Sequence, residues 1–376
     1  MNQAHFANEQ LVRLERREVR HLARYNPGLA VESVRGRFKL KRIAKLASNE
    51  NPLGASPRAI AALTDIGKLA ASYPDAECAQ LKAALGRFLG IPSERLVIGN
   101  GSENLVELAC LAYLNHGERV VMQDPGFGLH EIYARLMSAT VEKISFDGEF
   151  HFDVAAWQRA LAEPAKMVIM TNPSNPVGCR MDCEQFRSVV ESAARDILLL
   201  VDEAYYEFAK GPGYPDTLAE LAQQPRPWLV LRTFSKAYGL AGLRVGYGVA
   251  SSPELVDALD RVRTPFNVNA VAQAAAAAAL EDQDHVLRSV ETIRCERERV
   301  RRELENCGYM VAPSHTNFLF FDSREPAGAL AERLLARGVI VKAWREPGYE
   351  QFVRVTIGSR ADNELFLSAL RDVARR

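Results

Sequence analysis

The sequence predicts an α/β protein with a largely parallel sheet. Helical and strand-like segments alternate over most of its 376 residues. Short apolar runs of strand length each end where polar residues begin. After Tyr247 the pattern changes to longer helices with fewer strands, which reads as a smaller α+β domain.

In order, the buried-strand candidates are 95–100 (RLVIGN), 119–124 (RVVMQD), 166–172 (KMVIMTN), 197–203 (ILLLVDE) and 228–234 (WLVLRTF). Residues 270–280 (AVAQAAAAAAL) have very high helix propensity. A long charged amphipathic helix is expected over 283–307, ending before Gly308. A strand at 317–322, a helix at 328–337, two short strands (VIVKAW and FVRVTIG) and a helix from about Asp362 complete the chain. The expected division is a large domain of residues 46–264 and a small domain of residues 1–45 and 265–376.

Bulk composition bounds the function. The chain is 48% hydrophobic and 25% charged, ordinary for a soluble globular protein, and its 47 basic residues balance 47 acidic ones. Nothing suggests a surface for polyanions. The first residues are charged throughout and lack an apolar core, so no signal peptide is expected. No run is long enough to span a bilayer. Cys179 and Cys183 stand four apart, but no second pair or nearby histidine completes a zinc set. Free thiols in a reducing cytoplasm, and no metal, are the expectation.

In open α/β sheets a ligand sits beyond the carboxyl ends of the strands. Gly101-Ser102, Asp124-Pro125, Asn172 to Asn175, Asp202-Glu203 and Thr233 to Lys236 therefore converge on one crevice. Lys236 lies between hydroxyls (Thr233, Ser235) and a glycine-rich run carrying Arg244. It reads either as part of a capped helix start or as a poorly solvated amine able to form a Schiff base. The flanking hydroxyls and arginine suit a phosphate, and a lysine Schiff base beside a phosphate suggests pyridoxal phosphate (PLP).

The other strand ends carry the same double reading. Asp202 is a cap, or the carboxylate that keeps a pyridine nitrogen protonated. Asn175, in TNPSNPVG, is a turn residue, or an amide donor to the ring's phenolic oxygen, which Tyr205 could also reach. Gly101 and Ser102 lie in a strand–glycine turn–helix segment able to hold phosphate, a pattern shared by many βα turns. Phe127 is core, or a face for ring stacking.

These pieces resemble the fold type I aminotransferases, most closely the histidinol-phosphate aminotransferase branch. The matching segments are LASNENPLG (46–54), YPD (73–75), GNGSENLVEL (99–108), TNPSNPVG (171–178), VDEAYYEF (201–208), RTFSKAYGLAGLRVGYG (232–248), PFNVN (265–269) and RVTIG (354–358). The resemblance implies that Lys236 forms the Schiff base with PLP and shuttles the α-proton. It implies Asp202 at the ring nitrogen, Tyr205 and Asn175 at the phenolic oxygen, and Phe127 on the ring. Gly101, Ser102, Thr233, Ser235 and Arg244 are implied as the phosphate cradle.

Tyr73 is implied to reach the neighbouring subunit's cofactor, hence a homodimer. Arg354 is implied to grip the substrate anion, with Tyr25 and Asn49 in the substrate pocket. The implied reaction is ping-pong, from an amine, L-histidinol phosphate first, to 2-oxoglutarate. One departure bears on the donor: Lys342 stands where the branch usually carries a second arginine. Lysine is a poorer fork than arginine, and Arg345 nearby could substitute. Trp344 is packing, or a wall for a bulky side chain. An aromatic or other amino acid is the alternative donor. A decarboxylase or lyase of the same fold is the alternative reaction. A PLP sensor fused to a DNA-binding domain is disfavoured, because residues 1–45 carry no basic helix-turn-helix pattern.

Overall fold

The computed structural model describes residues 14–64, 67 and 71–374. The strands are β1 (Ala44–Lys45), β2 (Leu96–Gly99), β3 (Arg119–Asp124), β4 (Thr140–Ser145), β5 (Met167–Thr171), β6 (Leu198–Asp202), β7 (Trp228–Thr233), β8 (Gly246–Ala250), β9 (Phe318–Asp322), β10 (Val339–Ile340), β11 (Lys342–Ala343) and β12 (Phe352–Thr356). Seven of them form one sheet in the order β2-β8-β7-β6-β5-β3-β4. β8 runs antiparallel to both its neighbours, and the remaining pairs are parallel. This is the α/β fold with the largely parallel sheet that the alternating pattern predicts, made mixed by the antiparallel β8.

Every residue of β5, β6 and β7 is buried. Helices cover both faces of a parallel sheet, so its central strands are apolar on both sides. One face packs on Phe186, Phe234, Tyr247 and Trp157, the other on Leu105, Val106, Leu255 and Leu259. Two strands escape the apolar-run reading. β4 (TVEKIS) is a partly exposed edge strand with little apolar content. β8 (GYGVA) alternates glycine with apolar residues because its neighbours leave no room for side chains. A Cβ on Gly246 would lie 2.3 Å from the Ser102 nitrogen, and one on Gly248 2.9 Å from Val97 Cγ1.

A second apolar cluster lies between the three-stranded antiparallel sheet β11-β12-β9 and helices Ala327–Leu335, Gln283–Asn306 and Arg360–Ala374. β1 joins this half by pairing in parallel with β10. The helix Val31–Phe38 places Val34 against Leu335 and Ile340. Helix Ala270–Leu280 packs on Pro57–Ala62 and Ala79–Leu89, and its buried alanines belong to the cluster of the large sheet. No helix among the described residues is long and apolar enough to cross a membrane.

Candidate active site

Beyond the carboxyl ends of β5, β6 and β7 lies a cavity of about 280 Å³. Its wall includes Tyr25, Asn49, Ser102, Phe127, Asn175, Asp202, Tyr205, Thr233, Ser235, Lys236, Arg244, Lys342, Trp344 and Arg354, so fourteen residues singled out in the sequence meet in one place.

Local bonds aim the lysine. After β7 the Thr233 hydroxyl accepts from the Ser235 N–H (3.1 Å), and the Lys236 carbonyl accepts from the Gly239 N–H (3.1 Å). Gly239 has φ +71°, and a Cβ there would lie 2.1 Å from the Gly54 carbonyl, so only glycine permits this approach. Lys236 Nζ then reaches the Ser48 carbonyl at 3.4 Å and stands 5.9 Å from the Tyr205 ring centre. Burial, with the nearby Arg354 and Arg244 charges, pushes its pKa down to about 8.

At one end of the cavity the buried Asp202 carboxylate accepts from the Ala204 N–H (3.0 Å) and meets His130 Nε2 at 3.1 Å. No lysine or arginine pairs with it among the described residues. Phe127 packs edge-on against His130 (5.3 Å) and Tyr25 (6.0 Å). The Tyr205 hydroxyl accepts from Asn49 Nδ2 at 2.8 Å, and burial raises its pKa to about 12. Asn175 gives its carbonyl to Arg354 Nη1 (2.6 Å), which leaves its amide nitrogen as the donor on offer.

At the other end the helix Ser102–Tyr113 begins. Gly101 precedes it at φ +89°, and a Cβ there would lie 2.5 Å from Arg244 Nη2. Arg244 Nη1 donates to the Ser235 hydroxyl at 3.3 Å, and Nη2 stands 3.5 Å from Glu103 Oε2. A helix N-terminus, two hydroxyls and a guanidinium around a glycine form an anion cradle.

Arg354, on β12, is 7% exposed. Its Nη2 donates to the Ala47 carbonyl (2.8 Å), its Nε has no partner, and no carboxylate pairs with it among the described residues. A buried guanidinium with a spare N–H and no counter-ion is built for an arriving anion. Burial lowers its pKa. Asn49 is fixed by Thr356, whose hydroxyl accepts from the Asn49 N–H and donates to its Oδ1, both at 2.9 Å. Tyr25, 45% exposed, lies at the mouth. Lys342 Nζ donates to the Asn26 carbonyl, and burial, then Arg354 and Arg345, lowers its pKa to about 8.

Of the strand-end residues expected in the crevice, Asp124, Asn172 and Glu203 do not line it, Glu203 being paired with the buried Arg232 at 2.8 Å, and three of the residues given a site role also lie off this wall. Gly101 stands behind it, under Arg244. Arg345 lines a neighbouring cavity of about 400 Å³ that it shares with Lys342, Asn26 and Leu29. Tyr73 is 82% exposed and stacks on Phe266 at 4.7 Å, on the outside of the chain. Sequence reasoning did not find His130, Ser48 or Glu103. His130 meets Asp202 across 72 positions, and no local motif marks it.

The residues present fit PLP. A buried carboxylate that meets His130 but no lysine or arginine among the described residues suits a protonated ring nitrogen, and a phenol with a free amide suits the ring oxygen. The glycine-shaped cradle under Arg244 suits a phosphate, and the depressed Lys236 amine suits an aldehyde.

A sequence model of the family "Aminotransferase class I and II" matches residues 41–370. Histidinol-phosphate aminotransferase 3 of Rhizobium meliloti (strain 1021) is 45% identical over 358 residues, 95% of this chain and 97% of that protein. Histidinol-phosphate aminotransferase 1 of Mesorhizobium japonicum is 44% identical, covering 94% and 97%. The crystal structure of histidinol-phosphate aminotransferase from Sinorhizobium meliloti in complex with pyridoxal-5'-phosphate superposes with a TM-score of 0.88 at 28% identity, over 96% of this chain and 98% of that one. An aspartate aminotransferase of Thermus thermophilus shares the fold, with a TM-score of 0.80 at 21% identity over 96% and 99%.

Proposed function

The chain belongs to the class I and II aminotransferases and is a PLP-dependent transaminase, and from that premise we propose that it moves the amino group of L-histidinol phosphate to 2-oxoglutarate. The observation that carries the reading is Arg354: buried, with a free Nε and no acidic partner among the described residues, on the wall of the cavity that also holds Lys236. A guanidinium fork accepts a phosphate in one half-reaction and a carboxylate in the other. The names of the relatives, both histidinol-phosphate aminotransferases, support the same donor.

When bound, PLP supplies an electrophilic carbon for the amine and an electron sink that acidifies the substrate's α-proton. The chain's residues do the rest. Lys236, as a neutral amine, takes the proton from the substrate carbon and returns it as a general acid. Asp202, oriented by the Ala204 N–H and His130, holds a proton on the ring nitrogen. Tyr205 and Asn175 donate to the ring oxygen, and Phe127 covers the ring. Gly101, Ser102, Thr233, Ser235 and Arg244 hold the phosphate. Arg354 and Lys342 receive the substrate anion beside Asn49 and under Tyr25, while Arg345 adds positive potential behind Lys342. The proposal includes a homodimer in which Tyr73 of one copy reaches the phosphate site of the other.

Trp344 on the cavity wall favours a second reading, an aromatic amino acid as donor. Steady-state kinetics with 2-oxoglutarate decide between them. Histidinol phosphate should exceed phenylalanine and tyrosine in kcat/KM, and the reverse order would replace the first reading by the second.

A further inference from the structure

A second polar network joins the two halves of the molecule beside the cavity. Lys143 lies on β4, at the edge of the large sheet. Its Nζ is 2.7 Å from Glu131 Oε2, 3.3 Å from Asp124 Oδ1 and 3.6 Å from Glu346 Oε1. Two of these carboxylates belong to the large sheet and its covering helix. The third follows β11, in the other half. The second oxygen of Glu346, Oε2, accepts from Trp344 Nε1 at 2.9 Å. Three residues further on, the Tyr349 hydroxyl donates to the Asp124 carbonyl at 3.2 Å. Residues 344–349 are thus fastened to the end of β3, just ahead of Phe127.

The tryptophan at the end of this chain of contacts lines the active-site cavity. Its ring stands edge-on to Phe320 at 6.0 Å and lies 5.8 Å from the Arg354 guanidinium. With Nε1 committed to Glu346, the indole offers the cavity apolar ring surface and no donor. Such a wall discriminates between substrates: a donor with a planar ring gains contact area, and 2-oxoglutarate, which has none, does not.

We propose that Glu346 is a positioning residue that holds Trp344 as the flat wall for a ring-bearing amino donor, and that Lys143 ties this wall to the docking of the two halves. The inference rests on the transaminase reading above, and Trp344 becomes its specificity-determining residue.

The test compares Glu346→Ala and Glu346→Gln in cofactor-loaded protein, with histidinol phosphate as donor and 2-oxoglutarate as acceptor. Glu346→Ala should raise the donor KM about tenfold, the scale of one lost aromatic contact, with kcat and the 2-oxoglutarate KM within about twofold. Glu346→Gln keeps an acceptor oxygen for Nε1 and should recover most of the loss. Near-ultraviolet circular dichroism of the cofactor-free protein gives an independent readout. Loss of the fixed-indole signal in Glu346→Ala should match that in Trp344→Phe, while Glu346→Gln keeps it. Donor and acceptor KM rising together, or an unchanged dichroism spectrum in Glu346→Ala, would overturn the inference. If wild-type protein turned over no ring-bearing donor, the proposed function would fail, and the dichroism would still judge the clamp.

Discussion

Lys236 sets burial against charge. Its pKa of about 8 lies below the ordinary lysine value of 10.5, because burial and two arginines disfavour the ammonium form. The unfolded chain therefore binds more protons between those two values, and stability rises with pH across that window. Below pH 8 the full penalty stands. Cofactor-free Lys236→Met should accordingly be more stable than wild type at pH 7, on the order of 3 kcal/mol. The gap should close between pH 8 and pH 10.5 in urea unfolding, and a gap independent of pH would contradict the assignment. Lys236→Ala should lose more than about a thousandfold in transamination while still binding PLP through the cradle, and retained turnover would refute its role. Lys236 is legible in the sequence because its hydroxyls and arginine lie within eight positions of it. Arg354 Nε and His130 are not. One is notable for a partner it lacks, the other for a partner 72 residues away.

At the scale of elements, glycine shape decides whether the cradle exists. β8 carries Gly246 where the start of the helix Ser102–Tyr113 presses on the sheet. Gly246→Ala would drive a methyl into the Ser102 backbone nitrogen and should destabilise the protein by at least about 2 kcal/mol, read as a fall in the denaturation midpoint. Gly101→Ala adds backbone strain at φ +89° and puts its methyl 2.5 Å from Arg244 Nη2, the far end of a flexible side chain. It should leave secondary structure intact and weaken PLP affinity about tenfold or more by displacing the guanidinium. Unchanged affinity would remove Arg244 from the cradle. Five strands of the large sheet are legible because burial on both faces demands unbroken apolar runs. β4 is not, since an edge strand can be polar, and β8 is not, since glycines replace the side chains that would mark it. An alanine-rich helix such as Ala270–Leu280 carries no pattern that says which of two cores it joins.

For the whole molecule, the proposal needs two chains and two substrates at one cavity. Tyr73 and Phe266 form an exposed aromatic stack that does not line their own chain's cavity. Tyr73→Phe keeps the stack but removes the hydroxyl. It should lower PLP affinity severalfold while the solution mass stays that of a dimer, and an unaltered affinity would separate Tyr73 from the phosphate site. Lys342 is a cation only below about pH 8 in the free protein, so the KM for a phosphate-bearing donor should climb above that pH. Lys342→Arg should flatten the rise. These effects converge on the identity of the donor, which half-reactions read without the complication of turnover. PLP-loaded protein mixed with L-histidinol phosphate alone should lose its visible absorbance within one turnover and regain it when 2-oxoglutarate is added. An unchanged spectrum with histidinol phosphate, beside rapid loss with phenylalanine or tyrosine, would contradict the account.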